Sequence, residues 1–446
     1  MSEAIGAESE TQGNSSAHRR PHVVIVGAGF AGLAAAQALA TAPVDITIID
    51  RRNFHLFQPL LYQVATAALS PGDIAWPIRS VFGNRGNVRV ALMEVNSVDP
   101  VARTLGDGTA CVSFDYLVLA TGATHAYFGH EQWSDFAIGL KTVEDARHLR
   151  EKLLYAWEAA EWTIEPTEQR RYLTAVIVGG GATGVEMAGA IAELSGRTLK
   201  GEFRRIDPGN MRIVLVEAGP RVLPVFAPAL SKRCELSLKR MGVEVRTGSA
   251  VTACDARGIL LGNARIDAAT VVWAAGVQAS KAAQWLGAAH DQANRVIVNP
   301  NLTVPGHENI FVIGDTSSVS SSDRSVPGLA PAAKQMGRYV GELIAARVMN
   351  RQPSLGFVYR HQGDLAVIGR KSAVVSLGRL QLWGFPAWLV WSLIHILFLI
   401  GFRSRIVVTF NWLWSFMTRQ RSARLISDGP RTPGVPSARR RDPRTP

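Results

Sequence analysis

At 446 residues, 47% of them apolar and 19% charged, the chain can bury the cores of two or three domains and falls outside the disordered and fibrous classes. A net charge of +12 points to an anionic partner, nucleic acid or membrane, but much of it lies in the last forty residues, so a nucleic-acid-binding body is not expected. Three scattered cysteines (Cys111, Cys234 and Cys254) without a C-x-x-C spacing indicate neither a disulfide framework nor a metal site, and they suit a reducing compartment.

Residues 1–20 are polar and lack the apolar core of a signal peptide, so they read as a disordered leader. Arg19-Arg20 is not a twin-arginine signal, because the apolar run after it is a strand. Residues 23–26 (VVIV) are β-branched and read as a buried parallel strand. Gly27-Ala28-Gly29-Phe30-Ala31-Gly32 then fits G-x-G-x-x-G, and an alanine-rich helix is expected over residues 33–40. Gly27 permits the tight turn, Gly29 lets a pyrophosphate approach the backbone, and Gly32 lets helix and strand pack closely. The next strand, residues 45–49, ends in Asp50, where an acid takes a ribose 2′-hydroxyl.

Residues 51–82 are punctuated by Gln58-Pro59, Ser70-Pro71-Gly72 and Trp76-Pro77, which predicts helical pieces joined by turns. An insertion of this length covers a cofactor or shapes a second pocket. Short meander strands are expected over residues 88–95, 103–105 and 110–113. A buried strand then ends in Ala120-Thr121-Gly122, small residues that let a cofactor pass close by. After a helix over residues 143–160 the opening pattern repeats. Residues 175–178 are a strand, Gly179-Gly180-Gly181-Ala182-Thr183-Gly184 is a second G-x-G-x-x-G, and residues 185–194 are helical. The following strand ends in Glu217, after a basic insertion at residues 195–210. A carboxylate there favours NADH over NADPH, an inference that nearby Arg221 weakens slightly. A second meander leads to residues 270–276, which mirror the Ala-Thr-Gly strand and end at Gly276, so the chain carries an internal duplication. Residues 309–315 end in Gly314-Asp315, suited to accept a ribityl hydroxyl. A helix over residues 329–350, opened by Pro331, points its positive end there near Ala332.

Residues 385–402 are apolar except for Ser392 and His395 and approach the length of a membrane span. The residues after them are too few to cross again, and crossing would translocate the arginine-rich tail. An interfacial helix pair is therefore expected. Trp383, Trp388, Trp391, Trp412 and Trp414 would lie at headgroup level and Arg403, Arg405, Arg419, Arg421 and Arg424 would face anionic lipid. A buried C-terminal helix or a dimer interface is the plainer alternative.

The succession GAGFAG, HLFQPLLYQVATAALSP, YLVLATGA, VIVGGGATGVEMAG, VLVEAGPRVLP, VVWAAGV and FVIGDTS resembles the two-dinucleotide-binding-domain flavoproteins, and within them the membrane-bound type II NADH:quinone oxidoreductases. The resemblance runs from about residue 21 to residue 426. It implies an α/β protein of two Rossmann-like domains of the glutathione-reductase kind. The NADH domain (141–279) is inserted in the FAD domain (21–140 and 280–350), followed by a membrane-anchoring region (351–425) and a disordered basic tail (426–446). It places non-covalent FAD on Gly27, Gly29, Gly32, Asp50, Ala120, Thr121, Gly122, Gly314, Asp315 and Ala332. The substrate NADH falls on Gly179, Gly181, Gly184, Glu217 and Gly276. Glu186 matches the family's glutamate at the nicotinamide–flavin junction, against the plainer reading of a glutamate that complements the helix dipole.

The family's Ala-Gln-x-Ala-x-Gln at the quinone pocket stands here as Ala330-Pro331-Ala332-Ala333-Lys334-Gln335, which keeps the last glutamine and loses the first. Quinone contacts are expected at Pro331 and Gln335, with Lys371 either a basic neighbour or a solvated surface lysine. The implied reaction passes a hydride from NADH to FAD and two electrons to a membrane quinone. It pumps no ions and takes place at the cytoplasmic face of the membrane, by a monotopic protein or one with a single spanning helix. A homodimer stays open. A sulfide:quinone or disulfide reductase would need a cysteine pair beside the flavin, and none is expected. A non-enzymatic NADH-responsive flavoprotein remains an alternative because of Pro331, whereas a ferredoxin-type reductase gives no reason for the apolar C-terminal segment.

Overall fold

The computed structural model describes residues 19–83, 85–321, 324–352, 356–418, 421 and 423–426. The leader and most of the basic tail lie outside them. The β-branched runs become the centres of two parallel sheets. In the first, His22–Val26 lies between Asp45–Asp50 and Tyr116–Leu119, with Val88–Leu92 beyond the former and His307–Val312 beyond the latter. Ile25 stands opposite both Ile48 and Val118, and Val23 to Val26 are covered on both faces, which is why they are apolar without alternation. Thr303–Val304 adds an antiparallel edge.

The second sheet repeats the first. Thr174–Val178 lies between Arg212–Val216 and Thr270–Trp273, flanked by Val243–Arg246 and Ala137–Gly139, all parallel. Because His307–Val312 returns to the first sheet after the second is complete, the second unit is an insertion in the first.

Among the described residues the helices of ten or more residues are α1 (Phe30–Leu39), α2 (Val143–Trp162), α3 (Ala182–Glu193), α4 (Pro228–Arg240), α5 (Ala330–Val348), α6 (Gly384–Phe398) and α7 (Phe402–Thr418). α1 and α5 meet along small residues: a Cβ on Gly337 would come within 2.1 Å of the Ala31 carbonyl oxygen. α2 opens on a capping box of Thr142 and Asp145.

Three stretches differ from expectation. Within residues 51–82, Phe54–Leu56 and Ala75–Pro77 pair as a small antiparallel sheet around the helix Leu61–Ala65. Residues 364–383 form a three-stranded antiparallel sheet, Asp364–Gly369, Ser372–Leu377 and Leu380–Trp383, which packs on α3 so tightly that a Cβ on Gly189 would lie 1.7 Å from the Ile368 carbonyl oxygen. The apolar run 385–402 is not one helix. α6 stops at Phe398 after 15 residues, about 22 Å, and no helix among the described residues is long and apolar enough to cross a membrane. Leu399 leaves the helical region, and the Arg405 guanidinium caps the end by donating to the carbonyls of Leu399 (2.9 Å) and Leu397 (3.0 Å).

The C-terminal arginines and tryptophans divide between two roles. Arg421 is buried, donating to the Thr66 carbonyl (2.8 Å) and pairing with Glu193 (3.5 Å), and Arg424 pairs with Glu202. With Arg405 spent on the α6 carbonyls, Arg403 is left exposed; Arg419 lies outside the described residues. Trp391 is buried and Trp412 donates to the Gln63 amide oxygen (2.7 Å), so only part of the tryptophan cluster can reach headgroups.

Candidate active site

The two glycine turns are built alike, atom for atom. In the first, Gly27 N–H donates to the Ile49 carbonyl (2.7 Å) and Ala120 N–H to the Val26 carbonyl (2.8 Å). In the second, Gly179 N–H donates to Val216 (2.8 Å) and Ala274 N–H to Val178 (2.7 Å). Gly27 and Gly179 take φ of +100° and +110°, where a side chain would also strike the carbonyls of Ala120 (2.3 Å) and Ala274 (2.4 Å). Gly32 and Gly184 press on the turn itself, a Cβ on each falling 1.8 Å from the carbonyl oxygen of Gly27 or Gly179. Gly29 and Gly181, the N-cap residues of α1 and α3, have no atom within 4 Å of a Cβ position. Each helix thus offers free backbone N–H groups and its positive end to open space, the arrangement that receives a pyrophosphate.

The acids at the second strand ends brace these turns. Asp50 accepts from Ala28 N–H (2.7 Å) and Arg52 N–H (2.8 Å), and Glu217 from Gly180 N–H and Gly219 N–H (2.6 Å each). Each carboxylate oxygen retains a second lone pair for a ribose hydroxyl. Arg221 turns away and donates to the Pro224 carbonyl (2.7 Å).

Around the first turn, Thr121 Oγ1 lies 2.5 Å from Ser280 Oγ and 3.4 Å from Thr316 Oγ1, and Thr316 Oγ1 donates to the Gly122 carbonyl (3.2 Å). Gly314 N–H donates to Met336 Sδ (3.1 Å). The half-buried Asp315 carboxylate has no hydrogen-bond or ion-pair partner among the described residues. His55 Nδ1–H donates to the Ala28 carbonyl (2.9 Å) while its buried Nε2 is unpaired. Burial pulls its pKa down to about 4, so the ring is neutral. Gly276 lies beneath the exposed Phe128 ring, which holds φ +53°.

Glu186, in the first turns of α3, faces Val367, whose N–H donates to Oε1 at 3.4 Å. Burial pushes its pKa up to about 8, so it holds a proton at neutral pH and is not an ionised group complementing the helix dipole. At the start of α5, Ala332 is buried and Pro331 half-buried, while the Gln335 amide is paired at both ends with the Arg360 backbone (2.9 Å each). Lys334 stands over the Phe398 (4.2 Å) and Phe30 (5.4 Å) rings. Lys371 lies elsewhere, exposed at a hairpin turn beside Phe416 of α7. All three thiols are free, and burial raises those of Cys234 and Cys254 to about 12 and about 11.

Sequence reasoning did not single out His55, Tyr62, Ser280 or Thr316, and it set Arg421 at the lipid headgroups, where the fold instead buries it against Thr66 and Glu193. Thr316 directly follows Gly-Asp, a signal within reach. His55 and Tyr62 lie inside the HLFQPLLYQ stretch, and nothing local marks Arg421.

Two dinucleotide turns on duplicated parallel sheets define a nucleotide-dependent oxidoreductase, and the family model of the pyridine nucleotide-disulphide oxidoreductases matches residues 21–337. A type II NADH:quinone oxidoreductase of Mycobacterium tuberculosis, NdhA, is 45% identical over 92% of this chain and 90% of its own. A second from the same organism, Ndh, is 41% identical over 92% of this chain and 91% of its own. The chain belongs to this family, among its type II NADH:quinone oxidoreductases. In fold it is similar to NDH2 from Plasmodium falciparum, solved in complex with NADH, with a TM-score of 0.81 at 21% identity over 91% of this chain and 99% of the other.

Proposed function

We propose that this chain is an FAD-dependent NADH:quinone oxidoreductase working at the membrane surface. The observation that carries the reading is the duplicated turn. Two sites open at Gly29 and Gly181 accommodate one resident and one exchanging dinucleotide. The residues present fit FAD at the first. Gly27, Gly29 and Gly32 would take its pyrophosphate at the α1 N-terminus, Asp50 its ribose, and the unpartnered Asp315 its ribityl chain, with Ala120, Thr121, Gly122 and Gly314 leaving room alongside. Bound FAD supplies the two-electron chemistry that links the two substrates. Ala332, at the α5 N-terminus, places positive dipole at that site. NADH would lie on Gly179, Gly181 and Gly184, with Glu217 on its ribose and Gly276 beside the nicotinamide. With Arg221 occupied by Pro224, a 2′-phosphate would meet Glu217 unpaired, which supports NADH over NADPH. Glu186, buried and protonated, would supply a proton at this junction. Pro331 and Gln335 would meet the quinone. Lys371, solvated beside Phe416, is the weakest of the proposed contacts.

The exposed faces of α6 and α7 support membrane binding. Phe385, Leu389, Leu393 and Leu397 on α6, and Phe402, Ile406 and Phe410 on α7, recur every four residues and are between 45% and 78% exposed. Such a continuous apolar stripe fits an interfacial helix pair in the cytoplasmic leaflet. Ion pumping has no transmembrane route in this arrangement, and NADH-driven proton uptake by sealed vesicles would contradict it. The reading is tested by anaerobic spectroscopy of the purified protein: NADH bleaches a flavin band and added quinone restores it. Bleaching that quinone does not reverse would favour a signalling flavoprotein.

A further inference from the structure

One proton per turnover is left unassigned by the chemistry proposed above. Oxidation of NADH delivers two electrons and one proton as hydride, whereas quinol formation needs two electrons and two protons. The balanced reaction is NADH + H⁺ + quinone → NAD⁺ + quinol, so one proton must come from solvent. The structure holds a chamber suited to carry it. A cavity of about 120 Å³ lies against α3, lined among others by Glu186, Glu193, Tyr62, Gln63, Trp412 and Arg421. Glu186 and Glu193 are seven residues apart on one face of α3, about 10.5 Å along the helix. Tyr62 lines the same cavity, close enough for both carboxyls to act on its phenol. Its hydroxyl accepts from Gln63 Nε2 (2.8 Å), and Gln63 is in turn fixed by the Trp412 indole N–H, so the phenol proton is free to donate onward. At roughly 30 Å³ per molecule the chamber has room for several waters to complete the chain.

The outer end is equally defined. A second cleft of about 570 Å³, lined by Glu158, Glu202 and Arg424, shares Ala68, Ser415 and Arg421 with the chamber. Ala68, Ser415 and Arg421 therefore form the wall common to the two, and the Arg421 guanidinium pairs with Glu193 there. The other charged groups facing Glu193 are Arg370, whose backbone N–H it accepts, and Tyr62.

We propose that this chamber is the proton-uptake route of the enzyme, with Glu193 taking a proton from the outer cleft and Tyr62 and water relaying it to Glu186. Each passage breaks one O–H bond and forms another, and reloads Glu186 after its own proton leaves for the quinol. The proposal rests on the quinone-reductase reading. Glu193→Gln and Tyr62→Phe are compared with native protein in two assays, anaerobic bleaching by NADH and steady-state quinone turnover. Bleaching should be unchanged. Turnover should fall about tenfold or more, with a larger solvent deuterium isotope effect, and added formate should restore it by carrying protons in place of Glu193. Turnover within about twofold of native in both variants would overturn the route. So would a loss that formate does not rescue and that leaves the isotope effect unchanged, since that marks a packing role. If native protein bleaches with NADH but quinone does not reoxidise it, the quinone-reductase reading itself fails.

Discussion

Gly181→Ala and Gly184→Ala add the same methyl group three residues apart and should fail in opposite ways. At Gly184 the new Cβ would stand 1.8 Å from the Gly179 carbonyl oxygen, where a carbon–oxygen contact needs about 3.4 Å, so α3 must move off the sheet by about 1.5 Å. Overpacking of this kind costs about 1–3 kcal/mol, which lowers Tm by roughly 2–12 °C in a domain of 150–250 residues. At Gly181 no atom lies within 4 Å, and alanine in place of glycine at an N-cap costs about 0.5–1 kcal/mol. The folded protein should be native, but the methyl then occupies the space in front of the α3 N-terminus that the proposed site gives to the NADH pyrophosphate. A similar overpacking cost, applied to the ligand, raises the NADH concentration needed for half-bleaching roughly five- to hundredfold. Anaerobic NADH titration and thermal melts measure the two effects separately. Native NADH affinity in Gly181→Ala would show that the second turn is not the NADH pyrophosphate site, and a native melt in Gly184→Ala would show that α3 does not need a glycine against that turn.

Glu186, protonated up to about pH 8, should impose an alkaline fall on quinone turnover, and Glu186→Gln should lower the rate and remove that fall in a pH profile. His55 is neutral in the fold with its pKa lowered from 6.5 to about 4, so the unfolded chain binds the extra proton between those values. Stability should drop as pH falls from 6.5 to 4, by about 3 kcal/mol in all, and His55→Gln should flatten the slope seen in urea midpoints. Leu389→Glu with Leu393→Glu, both exposed on α6, should leave NADH bleaching intact and abolish flotation with anionic vesicles; unchanged flotation would locate the membrane contact elsewhere.

The duplication was legible because both turns are set by local rules: a β-branched strand, glycines at fixed offsets, and an acid at the next strand end. Those rules act over about thirty residues, and the two turns agree even in their hydrogen-bond lengths. The three-stranded sheet at residues 364–383 was missed because its strands are short and the apolar residues of the first two run together without alternation, so no period stands out against the strongly apolar run that follows. That run misled in the other direction. Hydropathy counts residues 385–402 as one segment, but what ends α6 is the Arg405 guanidinium six residues beyond Leu399, a tertiary contact that composition does not record. Arg421 shows the same limit. In sequence it belongs with its basic neighbours, and only folding buries it against Glu193, 228 residues earlier.

These two arginines also link the proposed membrane-facing helix pair to a redox site it does not contain. The outer faces of α6 and α7 carry the exposed apolar stripe, while their inner faces and the segment after α7 supply Trp391, Trp412 and Arg421 to the chamber beside α3. The contacts are polar and directional, so the pair cannot slide on the body without breaking the bonds to Gln63, Thr66 and Glu193. In the proposed membrane-bound arrangement, seating the stripe in a bilayer would fix the height of Glu186 and the start of α5 above the lipid. On that arrangement a quinone leaving the membrane would meet its proposed contacts, Pro331 and Gln335, at a height set by the same residues that line the chamber. Removing the chain after Thr418 should loosen both at once, lowering affinity for quinone while leaving NADH bleaching, which depends on the two glycine turns, as it is in the full chain.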